Sequence, residues 1–327
     1  MRRCSLVISS VLACLLSIKL VILVGCSSEN HPQGRKAKEL STIYSEQKEI
    51  GEKYEVRVEK DISYGTGSYE KFDLYTPTIA APKQRFPGIV IIHGGGWVGG
   101  DKALEREQNI GNTLAENGYV CISINYLLAE EGKISWPTNI YNCKKAVQFL
   151  RKNAELYNVD ADHIGVIGGS AGGHLSAMVG LTGPETGLEP PGQYKGVSSR
   201  VQAVVPLYGV HNLATFTKTD NLEKFLGAAK NKNPALWALA SPVNHISRDD
   251  PPFLIIHGTA DSLVPVQQSV ELHEKLRENG IDSQLVIVEG APHSFHLQPE
   301  QQDLRPLVLA FFDKNLKAKP VVSMPLP

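Results

Sequence analysis

The chain has 327 residues, of which 42% are hydrophobic and 20% are charged, and its formal net charge is −1. This composition is typical of a globular protein, and the length suits one large domain with short appendages rather than two full domains. The sequence has no basic patch of the kind that binds nucleic acid, so we expect no nucleic-acid partner.

The N-terminus has the pattern of an export signal. Arg2 and Arg3 supply a positively charged start, and residues 6–24 are mostly apolar, as in a secretory signal peptide. The apolar run is long for a signal and contains Lys19. An uncleaved anchor helix is therefore one alternative, and an ordinary cleaved signal is another.

The apolar run ends in Leu-Val-Gly-Cys at 23–26, which resembles the lipobox of bacterial lipoproteins. In a lipobox the cysteine becomes lipid-modified and starts the mature protein. We therefore predict a lipoprotein signal peptide at 1–26 and an exported domain that Cys26 anchors to the membrane, on the periplasmic side or at the cell surface. Polar side chains dominate 27–53, which we interpret as a tether. The folded domain is predicted at 54–320.

The elements of this domain follow in chain order. Alternating runs at 54–64 and 69–75, separated by a Gly-Thr-Gly turn, predict a hairpin at a sheet edge. The continuous apolar run at 86–93 predicts a strand covered on both faces. Helices are predicted at 104–117, 137–150, 266–279 and 299–316, and further strands at 119–126, 164–167, 201–207, 253–257 and 284–288. This alternation predicts an α/β fold with a mostly parallel, eight-stranded sheet and helices on both faces.

Two segments interrupt the alternation. Residues 182–200 are rich in glycine and proline and are predicted to form a loop. Residues 211–245 lie between two predicted strands and include Phe216, Phe225 and Trp237. We interpret 211–245 as a small lid or pocket wall above the strand ends, where ligands bind in such sheets; an ordinary crossover helix fits the pattern equally well.

Two cysteines lie in the predicted folded domain. Cys121 falls in an apolar strand, and Cys143 on the apolar stripe of a helix. These positions favour buried thiols, although an oxidising compartment leaves a disulfide open. No metal-ligand spacing is evident, and no metal site is predicted.

A candidate nucleophile stands in Gly-Gly-Ser-Ala-Gly at 168–172, between an apolar strand and a helix-compatible segment. The pattern G-x-S-x-G places a serine on a strained strand-to-helix turn with its hydroxyl exposed. Alone, the pattern also fits a glycine-rich turn or a degenerate phosphate loop. The order of the chain favours Ser170 as a nucleophile, because His-Gly-Gly-Gly at 93–96 precedes it and an acid and a histidine follow it.

A serine hydroxyl needs a general base to become nucleophilic. His293 lies in the loop after the last predicted strand, where an imidazole can return to Ser170. His296 lies further along the same loop and is interpreted as an accessory or surface residue. A solvated loop histidine is the plain alternative for His293, but its place after the final strand favours the base.

The base in turn needs an acid that orients the imidazole. Asp261 follows a glycine-containing turn after the strand at 253–257 and is our candidate. A cap for the following helix is the structural alternative. The competing carboxylates precede that strand or lie too close to His293; they are Asp249, Asp250 and Glu289.

Backbone N–H donors are expected for a developing oxyanion. The glycine loop offers Gly95 and Gly96, and the residue after the candidate nucleophile offers Ala171 at a helix N-terminus. His93 is expected to be a structural hydrogen-bonding residue, and a simple glycine-rich turn is the alternative interpretation of this loop.

Four motifs together carry a family resemblance: HGGGW at 93–97, GGSAGG at 168–173, HGTADSLVP at 257–265 and GAPHSF at 290–295. They resemble the bacterial α/β-hydrolase esterases of the hormone-sensitive-lipase and feruloyl/acetylxylan-esterase-like (BD-FAE-like) branch. The departures are minor, namely Ala291-Pro292 before the histidine and His163 where such chains often carry arginine.

The resemblance implies an α/β-hydrolase catalytic domain that cleaves carboxylic esters through an acyl-enzyme, without a cofactor. It assigns Ser170, His293 and Asp261 as nucleophile, base and acid. It also implies short-chain or aromatic acyl esters as substrates, including acetyl or feruloyl groups on plant polysaccharide. A peptidase or amidase with the same triad, and a non-catalytic binding protein on this fold, are the alternatives. Trp97 and Trp136 could stack on a sugar or an aromatic acyl group, with lid and core packing as the other interpretation.

Overall fold

The computed structural model describes residues 53–78 and 85–317. The predicted signal peptide, the lipidation site Cys26 and nearly all of the predicted tether lie outside these residues, as does the end of the predicted domain at 318–320. Within the described ranges, no helix is both long enough and apolar enough to cross a bilayer.

One eight-stranded sheet forms the centre of the molecule, with the strand order β1-β2-β4-β3-β5-β6-β7-β8. The strands are β1 (Val56–Ser63), β2 (Lys71–Pro77), β3 (Phe86–Ile92), β4 (Val120–Ile124), β5 (Val159–Gly169), β6 (Ala203–Leu207), β7 (Phe253–Gly258) and β8 (Ser283–Val288). The two pairings that involve β2 are antiparallel, and the pairings from β4 to β8 are parallel. The predicted edge hairpin and mostly parallel sheet are both present.

The helices of the described chain lie between these strands, except the last one, which follows β8. They are α1 (Glu105–Ala115), α2 (Thr138–Lys152), α3 (Ala171–Leu181), α4 (Asp220–Leu226), α5 (Pro234–Leu239), α6 (Gln267–Glu278) and α7 (Arg305–Leu316). The last helix starts later than the pattern predicted, at Arg305 rather than near 299. Pro306 lies in its first turn and cannot donate to a preceding carbonyl, and the Asp303 carboxylate accepts the N–H of Arg305 at 3.0 Å instead.

Both faces of the sheet are covered, as expected for parallel strands. Alternate residues of β3 belong to two separate apolar clusters, with Val90 and Ile92 in one and Ile89 and Ile91 in the other. All residues of β3 are buried. The central strands are therefore fixed in a packed core up to their carboxyl ends. The loops that follow these strands begin from fixed positions.

Cys121 and Cys143 are buried free thiols. They belong to the two different apolar clusters and therefore lie on opposite faces of the sheet. Burial raises the pKa of both thiols. Buried thiols were the favoured expectation, and the disulfide alternative is incompatible with the sheet that separates them.

The segment 211–245 is not a single crossover helix. It contains the short helices α4 and α5 and a 3₁₀ turn at Pro242–Asn244. Its aromatic side chain Phe225 is fully buried and stacks on the ring of Trp97, with the ring centroids 5.0 Å apart. The segment therefore forms a wall against the glycine loop that follows β3.

Candidate active site

Ser170 occupies a strained turn between β5 and α3. Its backbone angles are φ 59° and ψ −120°, in a region that side-chain-bearing residues rarely adopt. Its N–H donates to the carbonyl of Leu207 at 2.9 Å, which fixes the turn against β6. The turn needs glycine beside it, because a Cβ on Gly172 would collide with the carbonyl oxygen of Ile92. The turn thus holds Ser170 at the carboxyl end of β5.

Three predicted site residues meet in one hydrogen-bonded chain. His293 Nε2 lies 2.9 Å from Ser170 Oγ, and His293 Nδ1 lies 2.6 Å from Asp261 Oδ2. An ionised carboxylate can only accept, so Nδ1 carries the imidazole proton and Nε2 accepts the serine hydroxyl. The side chains of His293 and Asp261 are 10% and 1% exposed, so the chain is largely shielded from water.

The Asp261 carboxylate is surrounded by hydrogen-bond donors. Oδ1 accepts the backbone N–H groups of Leu263 and Val264 at 2.9 and 2.8 Å. Oδ2 lies 2.6 Å from His293 Nδ1 and 3.2 Å from His257 Nε2. Burial alone would raise the pKa of Asp261, but the bonds from His257, His293 and Val264 outweigh it and lower the pKa well below its usual value. The acid therefore stays ionised at neutral pH.

His257 is a contact of the predicted acid that the sequence analysis did not assign. It lies at the end of β7 and is completely buried. Its Nδ1 is 2.7 Å from Ser269 Oγ, and its Nε2 is 2.9 Å from the carbonyl oxygen of Val264. The only available signal was its place in the motif, four residues before Asp261 at a strand end.

The glycine loop after β3 presents two free backbone donors. Within the described ranges, no backbone carbonyl accepts the N–H of Gly95, Gly96 or Ala171. Gly95 has φ 115°, and a Cβ there would collide with the carbonyl oxygen of Gly99. Only glycine fits this turn, and it leaves the adjacent N–H groups uncovered.

His93 supports that loop from below. It is buried, and its ring stacks on Tyr126 at a centroid distance of 4.3 Å. The hydroxyl of Tyr126 also donates to the carbonyl of His93 at 3.1 Å. Burial lowers the pKa of His93 to about 4, so its imidazole is neutral at physiological pH. The residue has the buried, hydrogen-bonded setting expected of a structural histidine.

The two predicted substrate-binding tryptophans lie in a packed aromatic cluster. Trp97 and Trp136 are only 4% and 8% exposed, and both contact Phe225. Trp97 Nε1 donates to Nδ1 of His174 at 3.1 Å, and Nε2 of His174 bonds the Ala240 carbonyl at 2.8 Å. This arrangement resembles core packing more than an open stacking surface, and a substrate contact by either ring remains a prediction.

The competing carboxylates have other partners. Asp249 is exposed and pairs with Arg200, and Asp250 accepts the N–H of Ser247 at 2.6 Å. Glu289 accepts the hydroxyl of Thr259 at 3.0 Å. Among these candidates, only Asp261 has a hydrogen bond to His293 in the described residues.

A serine on a strained turn after β5, with acid and base from the loops after β7 and β8, defines an α/β hydrolase. Similarity to known proteins assigns the chain to one family within this class. The chain belongs to the BD-FAE family, whose model matches residues 72–276.

The chain is similar to named esterases. It is 32% identical over 248 residues to Esterase LipQ of Mycobacterium tuberculosis (strain ATCC 25618 / H37Rv), an alignment that covers 72% of this chain and 57% of that protein. It spans about half the length of the curated relatives that it matches.

Solved structures share the fold. A truncated carbohydrate esterase from gut microbiota superposes with a TM-score of 0.72 at 28% identity, covering 81% of this chain and 98% of that one. Esterase 2 of Thermogutta terrifontis superposes with a TM-score of 0.63 at 28% identity, covering 79% and 91%.

Proposed function

We propose that the protein is a serine carboxylesterase that acts through an acyl-enzyme on Ser170. The observation that carries the proposal is the continuous hydrogen-bonded chain from Asp261 through His293 to the Ser170 hydroxyl. The esterase names of the relatives support the same reaction class.

In the proposed acylation, Ser170 Oγ attacks the ester carbonyl carbon and its proton passes to His293 Nε2. The negative charge that forms on the carbonyl oxygen is stabilised by the N–H groups of Gly95, Gly96 and Ala171, each worth about 3 kcal/mol of barrier. The tetrahedral intermediate then collapses: the ester C–O bond breaks, and His293 returns the proton to the leaving alcohol.

Deacylation repeats these steps with water. His293 takes a proton from the water, whose oxygen attacks the acyl carbon, and the same backbone donors hold the oxyanion. The bond to Ser170 then breaks and the serine oxygen recovers its proton from His293. Asp261 remains ionised throughout and stabilises the imidazolium that forms in each half-reaction.

For the substrate, we propose short-chain or aromatic acyl esters, including acetyl or feruloyl groups on plant polysaccharide. The similarity to a carbohydrate esterase from gut microbiota supports this choice. A panel of acetylated xylan, feruloyl esters and p-nitrophenyl esters of increasing chain length tests it. Faster cleavage of matched amides or peptides would instead favour the peptidase alternative.

The reaction itself is tested with p-nitrophenyl acetate and two serine variants. Ser170→Ala should abolish hydrolysis and retain the fold by circular dichroism. Ser176→Ala is the matched control, since Ser176 lies on α3, the helix that follows Ser170, and its buried hydroxyl has no partner among the described residues. Turnover that persists in Ser170→Ala would contradict the proposal.

We also propose that the mature protein is exported and anchored through a lipid on Cys26, as the lipobox pattern indicates. In a bacterial host, the wild-type protein should incorporate labelled palmitate and sediment with membranes. Cys26→Ala should lose both properties. Membrane sedimentation of the variant without label would support an uncleaved anchor helix instead.

A further inference from the structure

A buried ion pair on α1 lies beneath the proposed active site and is not used in the chemistry above. Arg106 donates from Nε to Glu107 Oε1 at 2.9 Å, and its Nη2 contacts the same oxygen. The side chains of Arg106 and Glu107 are only 10% and 1% exposed. Burying a charged pair is expensive unless the groups have further partners, so the other contacts of the guanidinium are informative.

The Arg106 guanidinium lies against two of the loops that form the site. A Cβ placed on Gly94 would be 3.1 Å from Arg106 Nη2 and 3.2 Å from Ser170 Cβ. A Cβ on Gly169 would be 2.9 Å from Arg106 Nη1. The absence of side chains at Gly94 and Gly169 thus allows the guanidinium to contact both the glycine loop and the residue before the nucleophile.

Tyr208 connects the same guanidinium to the loop that carries the base. Arg106 Nη1 donates to the Tyr208 hydroxyl oxygen at 3.3 Å, and that hydroxyl donates to the Phe295 carbonyl at 2.8 Å. The ring of Tyr208 meets the His293 ring edge-on with centroids 5.0 Å apart. Between His293 and Phe295, Ser294 has φ 64°, so the loop needs contacts that hold it in this unfavourable conformation.

We propose that Arg106 and Tyr208 are positioning residues that hold the His293 loop in register with Ser170. The inference rests on the proposed esterase function. The Tyr208 hydroxyl is the group to test. Among the side-chain donors of Arg106 and Tyr208 in the described chain, it is the only one that bonds the backbone of the His293 loop.

This positioning role gives a function to the buried ion pair of Arg106 and Glu107 beneath the site. General-base catalysis depends on a short distance between imidazole and hydroxyl, and a misplacement of about 1 Å can cost about 100-fold in rate. A hydrogen bond inside a protein is also stronger than one in water, so a single buried phenol can hold a loop effectively. Arg106 and Tyr208 need no contact with substrate, so their replacement should lower kcat and leave KM unchanged.

Tyr208→Phe tests the proposal, because it deletes one oxygen atom and retains the ring against His293. Tyr64→Phe is the matched control: Tyr64 is also fully buried, and its hydroxyl donates to a backbone carbonyl, that of Asn125, at 2.5 Å. Both variants should lose stability to a similar extent. Arg106→Lys, which keeps the charge but loses the planar fork, should have an intermediate effect on kcat.

We expect Tyr208→Phe to lower kcat for p-nitrophenyl acetate by about 10-fold or more, with KM unchanged and Tyr64→Phe unaffected. Hydrogen–deuterium exchange gives a second readout that needs no turnover: exchange over residues 290–297 should rise in Tyr208→Phe alone. Wild-type kcat and wild-type exchange over 290–297 in Tyr208→Phe would overturn the proposal. Failure of the esterase function is recognised separately, as a wild-type enzyme without turnover whose exchange pattern still reports on the loop.

Discussion

His257 Nε2 lies 3.2 Å from Asp261 Oδ2, so two imidazoles share one oxygen of the proposed catalytic acid. The tautomer of His257 follows from its surroundings. Nε2 faces only acceptors, Asp261 and the Val264 carbonyl, and therefore carries the proton, while Nδ1 accepts from the hydroxyl of Ser269. His257 thus donates from Nε2 and fixes the rotation of the carboxylate.

Replacing His257 tests this relationship. His257→Leu leaves Asp261 Oδ2 with one donor fewer, and we expect the free energy of unfolding to fall by about 2 kcal/mol and kcat by about 10-fold. His257→Gln can keep an N–H donor and should recover much of the activity. Steady-state kinetics and urea denaturation measure both effects. A leucine variant with wild-type kcat would show that the carboxylate does not depend on this donor.

Asp261→Asn should separate orientation from folding. The amide fits the same space but can donate to His293 Nδ1, which favours the wrong imidazole tautomer, and kcat should fall by about 10,000-fold. Asp249→Asn is the control, since Asp249 is an exposed carboxylate with no contact to the site. Retention of more than about a tenth of the wild-type kcat in Asp261→Asn would assign the acid role elsewhere.

Gly95→Ala should displace the backbone donors of the glycine loop. Its φ of 115° is unfavourable for alanine, and the new Cβ would collide with the carbonyl oxygen of Gly99. We expect kcat to fall by about 100-fold, the loss typical of one oxyanion donor. Gly192→Ala is the matched control, because Gly192 has φ 99° and no atom within 4 Å of the added Cβ. Equal kcat values for the two variants would argue against an oxyanion role for this loop.

Two buried histidines should each lower stability as the pH drops from about 6.5 to about 4, the range between their unfolded-state and folded-state pKa values. Burial lowers the pKa of His93 and His174 to about 4 in the folded protein. Below pH ~6.5 the unfolded chain binds protons that the folded chain does not, so each histidine removes roughly 3 kcal/mol across this range. Asp261 adds almost nothing in this range, because its carboxyl is ionised in both the unfolded and the folded chain until the pH approaches about 4.

The measurement is a series of urea midpoints from neutral to acidic pH. His174→Gln can keep both hydrogen bonds of the imidazole, to Trp97 and the Ala240 carbonyl, without titrating. It should therefore show a smaller acid loss than the wild-type protein. Identical slopes for the two proteins would mean that His174 does not contribute.

The fold and the proposed triad followed from local sequence patterns because parallel strands end at one edge of the sheet. Residues just after β5, β7 and β8 had to meet there, and motif spacing placed Ser170, Asp261 and His293 among them. Tyr208 and Arg106 had no such signal. Their contact joins α1 to the turn after β6 across 102 positions of sequence, and only the packed structure brings them together.

The packing of Trp97 and Trp136 could likewise not be predicted from the sequence. An aromatic residue near a predicted site can line a pocket or fill a core, and the sequence pattern is the same in both cases. For Trp97 and Trp136 the deciding factor is the position of Phe225 on α4, in a segment whose path the hydrophobic pattern did not define.

Covalent labelling tests the central claim most directly. A fluorophosphonate should phosphonylate the wild-type protein at one site, and peptide mass spectrometry should locate the adduct on Ser170. Labelling should be absent in Ser170→Ala and strongly slowed in His293→Ala, which removes the base 2.9 Å from the hydroxyl. A wild-type protein that remains unlabelled, or that carries the adduct on another residue, would contradict the assignment.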